Sequence, residues 1–509
     1  GWILAGIGLA SLALVRGIVR LDWYASWTAG ATPLRRRLLA SVAIAATVAV
    51  MTLPGMLASR ALERLANRYN RELAGNGLLS LAAAFRANQL NYEDYYQTLS
   101  GNEAVGRVRG LLGHDPDAVM ADTSAHLDRY IRHDGEEKRW NVIQITVESL
   151  SASYLGVFGN RGGMTPVLDG LAERSLFFTQ CYATGTRTVR GMEALTLSVP
   201  PTPGCSLVRR PGNEDLFSTG ALFREHGYDT RFIYSGFGYF DNMNYFFSHN
   251  GFDVIDRASG HSAPVTFANI WGACDEDLYT WVIEAADLAS AAGKPFYHFV
   301  MTTSNHRPYT FPDGAIDLPQ GHRKSAVRYT DYAIGRFLEA ARRKPWFRDT
   351  LIVITADHCS NSAGNTEVPI GKYHIPLLVY NPGLVAARRI DTLCSQIDVA
   401  PTLLGLMNWS YDSRFYGRNV LTTAPEDGRA FLSTYQALGY LKGETLTILE
   451  PRRCAQAFRC DLSSFAMETV PVEAALRDDG IAYYQSASQL LRLGLLKHLP
   501  QSCDHISKY

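Results

Sequence analysis

The rhythm of apolar and polar positions changes several times along the chain. Gly1 to Val15 is almost wholly apolar, and Leu38 to Ala58 runs for about 21 residues without a charge, the length a helix needs to cross a bilayer's hydrocarbon core. Residues 1–58 are therefore predicted to form transmembrane helices, the first of them incomplete. Over 59–138 the apolar positions thin out among Arg and Asn. Leu62, Leu65, Tyr69 and Leu73 predict an amphipathic helical linker, fitted equally to a membrane surface or to solvent. Its last part, from Gly101 to Lys138, is charged and reads as an extended arm.

From Asn141 to about Leu421 short apolar runs alternate with helix-like stretches. Strands are predicted at 141–147, 177–182, 229–234, 296–302, 351–356 and 376–380. Helices are predicted at Met164 to Arg174, Leu216 to His226, Asp275 to Ala291 and Arg328 to Lys344. Continuous apolar runs suit strands covered on both faces, so residues 139–424 read as an α/β sheet sandwiched by helices. After Pro425 the pattern changes. Ala430 to Tyr435 and Glu444 to Leu449 read as strands and Ala482 to Leu496 as a helix, which makes 425–509 a small α+β appendage.

Charge and cysteine content narrow the partners. Lys plus Arg and Asp plus Glu each number 49 in 509 residues, so no basic surplus calls for a nucleic-acid partner. The positive charges concentrate locally instead. Arg16, Arg20, Arg35, Arg36 and Arg37 lie between the two apolar segments, and the positive-inside rule places that loop in the cytoplasm. Everything after about Ser59 is then expected on the opposite, extracytoplasmic side of the membrane. Such a compartment permits disulfides among the eight cysteines, and the short spacing of Cys454 and Cys460 marks them as the expected pair.

Candidate chemistry sits at the ends of the apolar runs. The run Asn141–Val147 delivers Glu148 and Ser149 just past a strand's carboxyl end, where open α/β sheets bind ligands. Leu351 to Ala356 delivers adjacent Asp357 and His358, a carboxylate and an imidazole suited to a divalent metal. Phe296 to Met301 leads to Thr302-Thr-Ser-Asn-His306. The small, hydroxyl-rich turn Gly185-Thr-Arg-Thr-Val-Arg190 could open a helix toward an anion. A threonine hydroxyl there needs a base or a metal before it can act as a nucleophile.

With those stretches in this order, the sequence resembles the lipoteichoic acid synthase and phosphoglycerol transferase branch of the alkaline phosphatase/sulfatase superfamily. The resembling residues are Val147-Glu-Ser-Leu150, Met164-Thr-Pro-Val-Leu-Asp169, Gly185-Thr-Arg-Thr188, Ser304-Asn-His306, Thr355-Ala-Asp-His358 and Gln396-Ile-Asp-Val-Ala-Pro-Thr402. The resemblance implies one divalent metal held by Glu148, Thr188, Asp357 and His358, manganese first, with magnesium and zinc as alternatives. It implies Thr188 as nucleophile and His306 on the phosphoryl group. The family's gram-positive members grip glycerol phosphate with a Trp and an Arg; the corresponding loop here, Tyr239 to Asn244, offers Phe240, Asp241 and Asn242. His374 sits where related phosphoethanolamine transferases carry an extra metal- or phosphate-binding histidine. The formylglycine motif of sulfatases, Cys/Ser-x-Pro-x-Arg, is absent at the nucleophile turn.

The resulting expectation is a membrane-anchored phosphoglycerol transferase. It takes its headgroup from phosphatidylglycerol, passes it through phospho-Thr188, and gives it to a glycan, polymer or lipid acceptor. Phosphoethanolamine transfer and phosphodiester hydrolysis use the same residues. A silent membrane scaffold would have no physical need for the full set of Glu148, Thr188, Asp357 and His358.

Overall fold

The computed structural model describes residues 91–121, 126–364 and 366–498, together with the isolated positions Pro33, Arg35 and Val42. The predicted membrane segments and the amphipathic stretch before residue 91 lie, those positions apart, outside the described residues. Among the described residues no helix is long and apolar enough to cross a membrane. Those from 91 onward belong to one compact unit.

The predicted extended arm is folded into that unit. It forms the helix Gly101–Leu112 and the strands β1 (Ala118–Met120) and β2 (Arg129–Ile131). Apolar Ala104, Val105, Val108 and Leu112 recur at helical spacing and are all buried, which a charge count over the same stretch conceals.

The central strand is β3 (Asn141–Val147), buried from Val142 onward. β4 (Leu176–Phe178) and β5 (Cys181–Tyr182) follow, then β6 (Asp229–Tyr234), β7 (Asp253–Ile255), β8 (Phe296–Met301) and β9 (Thr350–Ala356). β10 (Leu377–Tyr380), β11 (Arg388–Ile390), β12 (Cys394–Ser395) and β13 (Tyr411–Ser413) complete this part. Eight of them form one sheet in the order β11-β4-β10-β9-β3-β8-β6-β7. All neighbours are parallel except at β10, which runs against both β9 and β4. The sheet is therefore mixed.

The single strand predicted over 177–182 is two. Thr179 N–H donates to Ile390 O, and Gln180 O accepts from Cys394 N–H, so the chain changes partners there and β5 pairs with β12 instead. Helix boundaries shift as well. The helix predicted from Arg328 begins at Arg323 and ends at Ala341. That predicted from Met164 is Pro166–Ala172, with proline in its first turn and the Val167 and Leu168 N–H groups bound by Asp331, 3.0 and 2.8 Å.

Beyond residue 425 the strands β14 (Arg429–Ser433), β15 (Leu438–Lys442), β16 (Thr445–Glu450), β17 (Cys454–Cys460) and β18 (Met467–Val470) form an antiparallel meander. The helix Ala474–Arg492 covers it. Tyr484 Oη donates to Gly439 O at 2.6 Å, and Arg107 Nε meets Asp479 Oδ1 at 2.6 Å. The meander and the former arm thus share one helix. Cys454 and Cys460 are free, one exposed and one buried. They stand at opposite ends of β17, about 20 Å apart at a strand's rise per residue, so no disulfide joins them.

Candidate active site

The site forms where parallel strands end together. Val147 of β3 pairs with Ala356 of β9, so the next residues, Glu148 and Asp357, emerge side by side at the sheet's carboxyl edge. Ser149 then turns sharply with a left-handed φ of 51°, uncommon for a residue with a side chain and a known form of strain at functional sites. The turn directs its N–H to Asp357 Oδ1 at 2.7 Å and its hydroxyl to Glu148 Oε1 at 2.6 Å. Asn305, after β8, braces the same corner by donating to Glu148 O at 2.9 Å.

Thr188 is the first residue of the helix Thr188–Leu197, and its Oγ1 donates to Glu148 Oε2 at 3.4 Å. That helix approaches the Asp357 turn without clearance. A Cβ placed on Gly191 would lie 2.4 Å from Asp357 O. His358 Nδ1 lies 2.7 Å from Cys359 O. Because a carbonyl only accepts, Nδ1 carries the proton and Nε2 presents its lone pair, 3.4 Å from Asp357 Oδ2 and 3.9 Å from Glu148 Oε1.

These groups fit a cation. Ligand atoms of Glu148, Asp357 and His358 lie within 4.8 Å of one another. Asp357 is fully buried and its Oδ2 has no hydrogen-bond partner, which is costly for a carboxylate oxygen unless a positive charge meets it. Burial, with the Glu148 carboxylate next to it, pushes the Asp357 carboxyl up to about 7. Burial opposes the charged form of His358, but Asp357 and Glu148 outweigh it and raise its pKa. Two carboxylates, one oriented imidazole nitrogen and a threonine hydroxyl are a donor set for a divalent metal.

The profile of the sulfatase family matches residues 140–409, which takes in Glu148, Thr188, His306, Asp357 and His358. The chain belongs to the sulfatase family. An alkaline phosphatase superfamily protein of known structure from Vibrio parahaemolyticus is 32% identical, with a TM-score of 0.75, covering 80% of this chain and all of that one. Phosphoglycerol transferase I of Xanthomonas campestris pv. campestris is 26% identical over 315 residues, 56% of this chain and 43% of that protein. Lipoteichoic acid synthase 2 of Bacillus subtilis is 23% identical over 299 residues, 54% of this chain and 46% of that protein. The chain thus spans less than half the length of these curated relatives. The lipoteichoic acid synthase LtaP from Listeria monocytogenes, 20% identical with a TM-score of 0.61 over 72% of this chain and 94% of that one, shares the fold.

In this sulfatase-family chain a cleft of about 260 Å³ opens over the groups of this site. Thr188, His306, Phe240 and Asp241 line it together with Glu148 and His358. The His306 ring lies on Trp271, 3.7 Å between centroids, and Phe240 meets Trp271 edge-on at 5.5 Å. His306 Nδ1 donates to Arg307 O at 3.1 Å, which leaves Nε2 as the atom able to exchange a proton.

Two expected substrate contacts are elsewhere. Asn242 donates its amide to Val208 O at 2.9 Å and lines a neighbouring groove. His374 is buried among Phe158, Tyr182 and Phe465, with Nε2 bound to Thr179 O at 2.8 Å. Burial depresses its pKa to about 4, and it does not line the cleft. The structure thus packs His374 among aromatic rings and outside the cleft, and its position in the sequence gave no sign of that pocket.

Sequence reasoning missed Gln396. Its Nε2 donates to Ala356 O (2.8 Å) and Asp357 O (2.7 Å), and its Oε1 accepts from Thr184 N–H at 2.8 Å. One amide therefore holds the Asp357 turn against the segment leading to Thr188. Gln396 opens a stretch that carries the family resemblance, which was the available signal. Arg187, in the hydroxyl-rich turn, and Trp271 and Arg323, which no motif pointed to, are also on the cleft.

Proposed function

We propose that this chain is a metal-dependent phosphoglycerol transferase that moves glycerol phosphate from phosphatidylglycerol to an extracytoplasmic glycan or polymer through a phosphodiester on Thr188. The observation that carries the reading is the Thr188 hydroxyl at a helix start, hydrogen-bonded to Glu148 and facing a buried, orphaned carboxylate oxygen of Asp357. The relatives named phosphoglycerol transferase and lipoteichoic acid synthase support the headgroup. The apolar segments of residues 1–58 support anchoring in the bacterial inner membrane, with the site on the far side from the Arg-rich loop.

Glu148, Asp357, His358 and Thr188 would hold one divalent ion, manganese by the family resemblance. When bound, the ion supplies charge that lowers the hydroxyl pKa and neutralises phosphoryl oxygens. Thr188 Oγ1, passing its proton to Glu148 Oε2 and recovering it on departure, forms a bond to phosphorus as the bond from phosphorus to the diacylglycerol oxygen breaks. An acceptor hydroxyl then bonds to phosphorus and Thr188 departs, a ping-pong course. His306 Nε2 gives a proton to the departing lipid oxygen and takes one from the incoming hydroxyl. Phosphoethanolamine transfer drew its support from His374, and that residue does not reach the cleft.

Intact mass spectrometry of the metal-loaded chain after incubation with phosphatidylglycerol and no acceptor tests the reading, because without an acceptor hydroxyl the second displacement stalls and the adduct accumulates. A glycerol phosphate increment on Thr188 is expected. An increment obtained only with phosphatidylethanolamine would replace the headgroup, and a fully active Thr188→Ala chain would overturn the covalent course.

A further inference from the structure

The cleft holds a positive charge that no protein group answers. Arg323, the first residue of the helix Arg323–Ala341, lines it beside His306 and Thr188. Its Nη1 is buried and has no hydrogen-bond partner. The guanidinium lies over the Tyr309 ring, with Cζ 4.9 Å from the ring centroid, a contact that uses none of its N–H donors. Buried guanidinium nitrogens are normally paired. An arginine on the cleft wall with no carboxylate partner among the described residues is the chemistry that binds a tetrahedral oxyanion.

Arg187 and Arg307 share the cleft wall with Arg323, while the polar groups of the loop and of the carboxylate end are engaged. Asp241 faces Arg209, 3.4 Å away. Asn242, on the loop expected to grip the substrate, has turned its amide to Val208 O. The carboxylates of Glu148 and Asp357 stand at the metal-ligating end, where they meet Thr188 and His358.

We propose that Arg323 is a specificity-determining residue that binds a non-bridging oxygen of the phosphate group entering the cleft, so that the substrate class is a phosphate ester and not a neutral glycan. This deepens the transferase reading and rests on it for the identity of the ester. The recognised chemistry, a phosphate oxyanion on a small alcohol, is shared by a lipid headgroup and a free phosphate.

Inorganic phosphate and phosphatidylglycerol vesicles are the two probes, applied to the metal-loaded full chain. Arg323→Gln is expected to weaken phosphate binding by calorimetry about 10- to 100-fold, as for loss of a charged hydrogen bond. The donor KM should rise by a similar factor, with kcat changed less than about threefold and with metal content and melting temperature at wild-type values. Unchanged phosphate affinity and donor KM in that variant would overturn the proposal. If Arg323→Gln melts well below wild type, Arg323→Lys carries the test, since it keeps the charge and lacks the fork. Weaker phosphate binding in the lysine variant supports the assignment; wild-type affinity overturns it. Arg323-dependent phosphate binding in a chain that transfers no glycerol phosphate would overturn the transferase reading alone. A normal donor KM in Arg323→Gln, with transfer intact, would overturn only this one.

Discussion

Asp357 and Asp398 are both buried, at 0% and 1% exposure, yet their surroundings are opposite. Asp398 receives Arg429 Nη1 on both oxygens at 2.8 Å, and the N–H groups of Ser395 and Arg418 at 3.0 Å each. Asp357 receives two N–H groups on one oxygen and nothing on the other, with Glu148 close by. The first carboxylate ties the meander, through Arg429 of β14, to the turn before the helix Val399–Leu406. The second is a charge left open. Within one fold, completeness of pairing separates an aspartate that builds from one that binds.

The same kind of substitution should therefore act in opposite directions at the two positions. The largest effect belongs to the open site. Thr188→Ala is expected to lower transfer at least about 10³-fold while metal is retained by Glu148, Asp357 and His358; measurable turnover at a tenth of wild type would break the assignment. Next, Asp357→Ala should take the metal content of the purified chain from one ion to none by elemental analysis. At the closed site, Arg429→Met leaves Asp398 buried and uncompensated, which should cost about 3–5 kcal/mol by denaturant unfolding. A loss below about 1 kcal/mol would mean the pair is not structural.

A smaller effect concerns pH. The Asp357 pKa is raised in the fold from its ordinary 3.8 to about 7, so the fold binds that proton more tightly than the unfolded chain does. Its contribution to stability is complete below about pH 4 and is lost as pH rises through about 7; the raised pKa of His358 acts in the same direction. Metal-free protein should thus melt lower at pH 8 than Asp357→Asn, and the gap should close toward pH 5. The smallest expected effect is at His374. His374→Gln should keep transfer within about threefold and lower stability by about 1–3 kcal/mol, for a buried partner lost. A large rise in donor KM there would return His374 to the substrate.

What the sequence made legible follows from the length over which each signal acts. Continuous apolar runs located β3, β8 and β9, and their ends located Glu148, the turn before His306, and Asp357 with His358. Each of those needs only a strand and its next residue. The 177–182 run failed because partner exchange at Thr179 and Gln180 depends on Ile390 and Cys394, remote in sequence. Asn242 and His374 lie off the cleft for a similar reason: Val208 O and Thr179 O, remote in sequence, hold their side chains. The buried face of Gly101–Leu112 was hidden by the surrounding charges, and the open donor of Arg323 is visible only once the fold has buried it.

The Gln396 amide has a consequence for anyone shortening this chain. It lies two residues from Asp398, whose partner Arg429 belongs to β14. A chain ended at residue 409, where the family match stops, would keep Glu148, Thr188, Asp357 and both cleft histidines, His306 and His358. It would also leave Asp398 an uncancelled charge inside the fold, next to the amide that sets Asp357 against the Thr184 segment. The residues of the cleft and the foldable unit therefore have different ends, and a shortened chain that keeps the Asp398 pair must reach at least through β14.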